Sequence, residues 1–561
     1  VKKSLILLLA VAMMLSIVLA ACSNGNKDGS SEANQKQTSN SGGDKQSNPS
    51  SGNGTAVNPA GAFPIVDEEI TLTVLVRNND RVLDWENNYT TQWIKEKTNV
   101  NLKFEVASNT GAEQILNLAL ASGDYPDIIM GMPITQSMLM NYGSQGIFLP
   151  LQDIIQTYGD NILTAFNEVP YLEDLITAPD GNIYSLPDVN ECYHCTMNRK
   201  MFVYQPWLDA VGMKAPTTTD EFYDMLKAFK TQDPNKNNLA DEIPLSGRMS
   251  QYFDAFLMNA FIYHDGDKRL RIVDGQIDAI YDEPEYQEGM RYFKKLYDEG
   301  LIAPETFTQD EGGVRAMAGN PDIPILGSVV AHSPTSFIEL DLEGTGRMLD
   351  YVPLSPVKGP NGLQVASYLP WGADVGKFVI TNKNKHPEAS VRVVDLLYSQ
   401  EGTMIANHGK EGGEWGWATD GMIGINNKPA LYWTDYLGDT QTNEHYAQRA
   451  PTYRSKDFRG LESVPEGQLT AAKLYEDYTA TYYEAYKEDL DKIVPPLFFT
   501  EQQAEELLPI DVALNEYVKS SFARFVAGQL DIDKDWDTYV ATLQSMGLDK
   551  YLSIYNEAYG N

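Results

Sequence analysis

Between residues 71 and 130 the chain switches repeatedly between two hydrophobic periods, and that switching restricts its fold more than any other feature. Thr71-Leu72-Thr73-Val74-Leu75-Val76 is rich in β-forming residues, and Thr90 to Thr98 has helical spacing. Asn101 to Val106 alternates as a strand, Ala112 to Ala121 returns to helical spacing, and Tyr125 to Met130 carries a third strand after a Gly-Asp turn. Strands alternating with helices predict βαβ units and a parallel sheet, because parallel neighbours need a long crossover between them. A similar alternation recurs after Tyr193. Strands are expected at 201–204, 323–330 and 377–381, and helices at 219–231, 285–299 and 386–398. The last part reads as helical, at 510–527, 535–546 and 550–559, and no short tandem repeat is present.

Composition narrows the function. The 561 residues carry 78 acidic and 43 basic side chains, a formal net charge of -35, which repels phosphate backbones and argues against a nucleic-acid partner. Hydrophobic residues make up 42% of the chain, enough for large cores, and the length predicts two or more domains. No GxSxG, HExxH, P-loop or strand-following GxGxxG occurs, so the chain reads as a non-enzyme.

The amino terminus reads as an export signal: Lys2 and Lys3, an apolar run from Leu5 to Leu19, then Leu19-Ala20-Ala21-Cys22. A membrane-spanning helix is the alternative, but the run is short of the roughly 20 residues required. The pattern resembles the lipobox of bacterial lipoproteins. That resemblance implies a signal peptide at 1–21, lipid on Cys22 and a protein tethered at the outer face of the cytoplasmic membrane. Residues 22–61 hold almost no large apolar side chain until their end and read as a flexible linker. Cys192 and Cys195 in Cys192-Tyr193-His194-Cys195 allow a redox pair, half a zinc site or a disulfide. Too few histidines for zinc and an oxidising compartment favour the disulfide.

Four stretches then carry a family likeness. Ala121-Ser122-Gly123-Asp124-Tyr125-Pro126-Asp127-Ile128, Gly146-Ile147-Phe148-Leu149-Pro150-Leu151, Asp180-Gly181-Asn182-Ile183-Tyr184-Ser185-Leu186-Pro187, and Lys385-His386-Pro387-Glu388-Ala389 with Tyr398-Ser399-Gln400-Glu401-Gly402 occur in this order. Together they resemble the extracellular solute-binding proteins of family 1, in the long lipoprotein branch of Gram-positive bacteria, and are similar to its alginate-binding members. The resemblance implies an α/β, two-lobed periplasmic-binding-protein-like fold with a hinge and extra C-terminal helices. Lobe one is expected at 62–190 plus 355–410 and lobe two at 191–354 plus 411–561. It implies a monomeric receptor that closes on a carbohydrate, an oligosaccharide, and delivers it to the permease subunits of an ABC importer. A surface polysaccharide hydrolase or lyase, or a sugar or peptide receptor feeding a sensor kinase, are the rival readings.

Two groups of residues are candidates for binding. Asp233, Asn235 and Asn237 alternate, and the Leu239 carbonyl with Asp241 and Glu242 completes an oxygen set suited to a structural Ca²⁺. This stretch resembles the calcium loop of the alginate-binding members. Asn238 and Pro244 stand where an EF-hand has Gly and Glu. For sugar, flat rings stack on C–H faces and planar polar groups read hydroxyls. The candidates are Trp85, Trp207, Trp371, Trp415 and Trp417, the cations Arg77, Arg81, Arg199 and Arg248, and Tyr193 with His194 at the first crossing between lobes.

Overall fold

The computed structural model describes residues 56–109, 111–435, 441–464 and 469–560. Its strands in chain order are β1 (Ile70–Arg77), β2 (Val100–Ala107), β3 (Ile128–Met130), β4 (Leu186–Asn190), β5 (Lys200–Tyr204), β6 (Leu270–Val273) and β7 (Gln276–Ala279). They continue with β8 (Ser328–Ala331), β9 (Tyr351–Leu354), β10 (Ala373–Ile380), β11 (Trp415–Trp417), β12 (Tyr432–Thr434) and β13 (Tyr453–Arg454). Cys22 and the signal and lipidation expectations lie outside the described residues.

The first sheet has the order β13-β4-β10-β3-β1-β2. β1 runs parallel to β2 and β3, with Val74 opposite both Phe104 and Ile128, as the opening alternation predicts. β10 is antiparallel to β3 and β4, and β13 is parallel to β4. Leu72, Val74 and Val76 enter one core on one face, while Leu75 enters a second core on the other. Burial on both faces is why β1 reads as a near-continuous apolar run. The second sheet, β8-β5-β9, is antiparallel throughout, and all five residues of β5 are buried. Its core takes in the helices Thr219–Thr231, Pro284–Asp298, Glu501–Val526, Trp536–Ser545 and Leu548–Tyr559. Two sheets with separate cores make two lobes, and the chain passes between them after β4, before β10 and after β13.

Several expectations shift. Residues 355–372 belong with lobe two: Val357 and Ala366 lie in its core, and the Thr219 N–H donates to Lys358. Residues 411–435 and 441–464 belong with lobe one, since Trp415, Tyr432 and Phe458 pack on Met404 and Ile405 while β13 extends the first sheet. The switch follows from strand pairing between distant segments, which local composition does not encode. Residues 56–61, expected in the linker, are partly seated on lobe one, where Val57 bridges Val66. The strand expected at 323–330 is formed over Ser328–Ala331, with Leu326 making a single bridge to Ile243 before it. The helix expected from residue 510 starts at Glu501 and runs through Pro509. A capping box at Thr500 and Gln503 starts it early, and proline costs the helix one N–H donor there.

Candidate functional site

The parallel strands β1, β3, β4 and β13 end at the same edge of the first sheet, where antiparallel β10 begins. Lobe two stands over this edge, on the three crossings. In open α/β sheets ligands lie at the carboxyl ends of the strands, so the groove between the lobes is the place to look.

One cavity of about 250 Å³ sits there. Lobe one contributes Gln136, the first residue of the helix that follows β3, and the second crossing contributes Leu369 and Trp371. Lobe two contributes Asp265, Asp267 and Lys268, the segment Val494 to Leu497, Phe499 and Tyr555. The Trp371 Nε1 and Gln136 Nε2 donors are both shielded from solvent and find no hydrogen-bond partner among the described residues. Trp371 is held edge-on against Tyr171 at 5.4 Å, and the Tyr171 hydroxyl accepts from the Gly372 N–H at 3.2 Å. Asp265 is occupied by its own loop, accepting from the N–H groups of Asp267, Lys268 and Arg269. Asp267 accepts from the Tyr252 hydroxyl at 3.4 Å, and burial together with the Asp265 charge pushes its pKa up. A ring wall, two unfilled donors and an acceptor carboxylate suit a neutral polyhydroxylated guest.

Behind the loop, Arg269 pairs with Asp254 at 3.1 Å, and His264 Nε2 lies 3.3 Å from the same carboxylate. All three are fully buried, so the segment that presents Asp267 is fixed from beneath. A second inter-lobe hollow of about 450 Å³ lies beyond the first crossing, lined by Glu191, Tyr193, Asn426, Arg459, Glu476 and Glu484. Larger hollows at Arg291–Asp533 and Tyr263–Asp491 are lined by lobe two alone.

The structure sorts the predicted contacts. Trp371 lines the first cavity and Tyr193 the second, where its hydroxyl donates to Glu484 at 2.9 Å. Beside Tyr193, burial drives the His194 pKa well down, so its ring, packed on His332 and Tyr475, is neutral. Trp85, Trp207 and Trp415 are corrections: each is at most 5% exposed and packs in a core. Trp85 stacks on Tyr446, Trp207 meets Phe229 edge-on, and the Trp415 indole donates to the Gly409 carbonyl. Trp417 lies edge-on to Trp415 at 5.1 Å, on the same small core. Arg81 pairs with Glu414, Arg248 with Glu311, and Arg199 donates to the Gly266 carbonyl beneath the Tyr252 ring, so these cations serve internal contacts. Arg77 ends β1 at the cleft edge, with its Nε buried and unpartnered. Arg449, which donates to the Asn78 carbonyl, stands near it and was not foreseen. Gln136, Tyr171 and Asp267 were also missed. Gln136 had one usable signal, its place at the start of a helix just after a strand.

At the first crossing Cys192 and Cys195 are joined as a disulfide. On the outer side of lobe two, the loop Asp233 to Glu242 turns its polar side chains inward. The Asn235 and Asn237 amides donate to the two oxygens of Asp241, at 2.9 and 2.8 Å. Asp233 accepts from the N–H groups of Asn237 and Asn238, and Asn237 Oδ1 accepts from Leu239. Asn238 takes φ +60°, the left-handed turn for which glycine is usual. Glu242 has a buried, unpartnered Oε1, and burial with the Asp241 and Asp233 charges raises its pKa. Oxygen donors of this type are the kind a hard cation takes.

A two-lobed α/β molecule with a hinged groove is a binding-protein architecture. Residues 83–404 match the profile of the bacterial extracellular solute-binding proteins, and the chain belongs to that family. Among curated proteins it is 29% identical over 489 residues to the fructooligosaccharide ABC transporter substrate-binding protein FusA of Streptococcus pneumoniae, covering 83% of this chain and 86% of FusA. The structure of FusA with kestose superposes with a TM-score of 0.74 at 26% identity, over 88% of this chain and 99% of that one. A FusA EF-hand mutant with fructo-nystose gives 0.73 at 24% identity, again over 88% and 99%. A solute-binding protein of Bifidobacterium longum infantis, associated with a transporter that binds HMO, gives 0.76 at 22% identity and the same coverage.

Proposed function

We propose that this protein captures a carbohydrate, an oligosaccharide, in the groove between its lobes and hands it unchanged to the permease of an ABC importer. The observation that carries this reading is the cavity at Trp371. There an indole N–H and the Gln136 amide lack partners beside the Asp267 carboxylate, the set needed to read sugar hydroxyls against a ring. FusA, whose name records a fructooligosaccharide, supports the ligand class. Closure about the three crossings would bring Gln136 and Asp267 to the guest from opposite lobes. Tyr193, Arg77 and Arg449 extend the groove for further sugar units. Ca²⁺ held by Asp233, Asn235, Asn237, Leu239, Asp241 and Glu242 is read as structural, and the FusA EF-hand mutant supports such a site in a relative. Lipid on Cys22 would tether the monomer at the outer face of the cytoplasmic membrane. No helix among the described residues is long and apolar enough to cross it.

The test is a thermal-shift screen with kestose, neutral oligosaccharides and uronic oligosaccharides, followed by product analysis. A ligand that binds only the native state raises the melting temperature. At least one member of the panel is expected to do so and to be recovered intact. No shift with any of them, or cleavage of the bound compound, refutes the reading.

A further inference from the structure

The lobes also touch across the Trp371 cavity from the second crossing. The segment Val494 to Phe499 has no helix or strand, and it runs along the cavity wall opposite Leu369 and Trp371. Val494, Leu497 and Phe499 pack into the lobe-two core. Phe498, between them, points the other way and packs on the lobe-one core that contains Leu116, Ile134 and Leu139. Extended backbone sends alternate side chains to opposite sides, so one strap can hold both lobes at once. Pro495 and Pro496 precede Leu497 and Phe498 and restrict the backbone, which lowers the entropy lost when the strap is laid down. Just beyond, the helix Glu501–Val526 meets the helix Gln136–Ser144 that supplies the cavity's Gln136.

We infer that Phe498 is a positioning residue for ligand capture, a latch whose ring holds lobe two against lobe one and keeps the Trp371 cavity closed. This rests on the reading that a guest is held between the lobes. The crossings are covalent and persist whether the lobes are open or closed. The ratio of the two states is therefore set by contacts that parting of the lobes would break, and the packing of Phe498 on lobe one is such a contact. A half-buried phenyl ring contributes about half of what a fully buried one does, so losing it shifts the closed-to-open ratio roughly tenfold. Apparent affinity falls by the same factor once the closed form is the minor one.

Small-angle X-ray scattering of the ligand-free full chain tests this, with far-UV circular dichroism as the check on folding. Phe498→Ala is expected to raise the radius of gyration at unchanged helix content. Leu497→Ala, which faces lobe two, is expected to lower the melting temperature and leave the radius as it was. Scattering from Phe498→Ala that superimposes on the parent's, or equal opening by Leu497→Ala, overturns the inference. Should Phe498→Ala fail to fold, Phe498→Leu decides: an intermediate radius supports the latch, and no change refutes it. No sugar is present in this experiment, so its failure is separable from failure of the carbohydrate reading.

Discussion

Trp371 and Trp207 are one residue type in opposite roles. Trp207 is 1% exposed and meets Tyr204 and Phe229 edge-on, so Trp207→Ala should cost about 3–5 kcal/mol of stability. Trp371 is half-buried at a crossing and leaves its N–H unfilled, so Trp371→Ala should keep the melting temperature nearly intact and abolish the ligand-induced shift. Measuring both variants with and without an active oligosaccharide checks the pair; a retained shift in Trp371→Ala removes that ring from the site. Lys200 makes a different point at the same scale. It opens β5 and is 3% exposed, and its ammonium donates to the His194 carbonyl at 2.8 Å and to that of Met197. Burial holds its pKa down to about 7, against roughly 10.4 in an unfolded chain. Between those values the unfolded chain binds a proton that the native one lacks, so this residue's contribution to stability rises with pH. Below about pH 7 both states are protonated and the whole cost of burial applies. The melting temperature of Lys200→Met minus that of the parent should therefore be largest below about pH 7 and fall toward pH 10. A difference independent of pH would show that the ammonium is not buried.

At the scale of elements, the loop Asp233 to Glu242 is the one whose chemistry local sequence states most openly. Its alternating oxygens set the inward turn, and the residue with the least satisfied carboxylate, Glu242, is the one that a cation would relieve. A chelator should lower the melting temperature of the protein as purified, and added calcium should restore it by mass action. Asp241→Ala, which removes the carboxylate gripped by Asn235 and Asn237, should erase that response and lower stability to the chelated level. A chelator without effect would leave the loop as an Asx turn alone. Elements with strong periodicity were read close to their true bounds, as with the helix Thr219–Thr231. The helix Glu501–Val526 shows the converse. Pro509 stands just before the start expected at residue 510, but packing of Leu507, Leu514 and Val518 on lobe two outweighs one missing donor.

For the whole molecule, residues far apart in the chain decide what the site is. β13 joins β4 across more than two hundred residues and carries residues 441–464 to lobe one, against the expected boundary at 411. The groove is assembled from Gln136, Trp371, Asp267 and the strap at 494–499, four segments with no shared local signal. Trp85, Trp207 and Trp415 lie in cores, because composition around a ring does not report which side of a sheet it faces. By itself the sequence determined what is local: strand and helix periods, the oxygen-rich loop at 233–242, the net charge and the ordered motifs of the family. Only the tertiary structure decided which lobe each crossing returns to, which rings stay uncovered and which donors are left without partners. The reason is physical. Periodicity and turn chemistry act over a few residues, whereas burial and hydrogen-bond satisfaction depend on what the folded chain brings alongside.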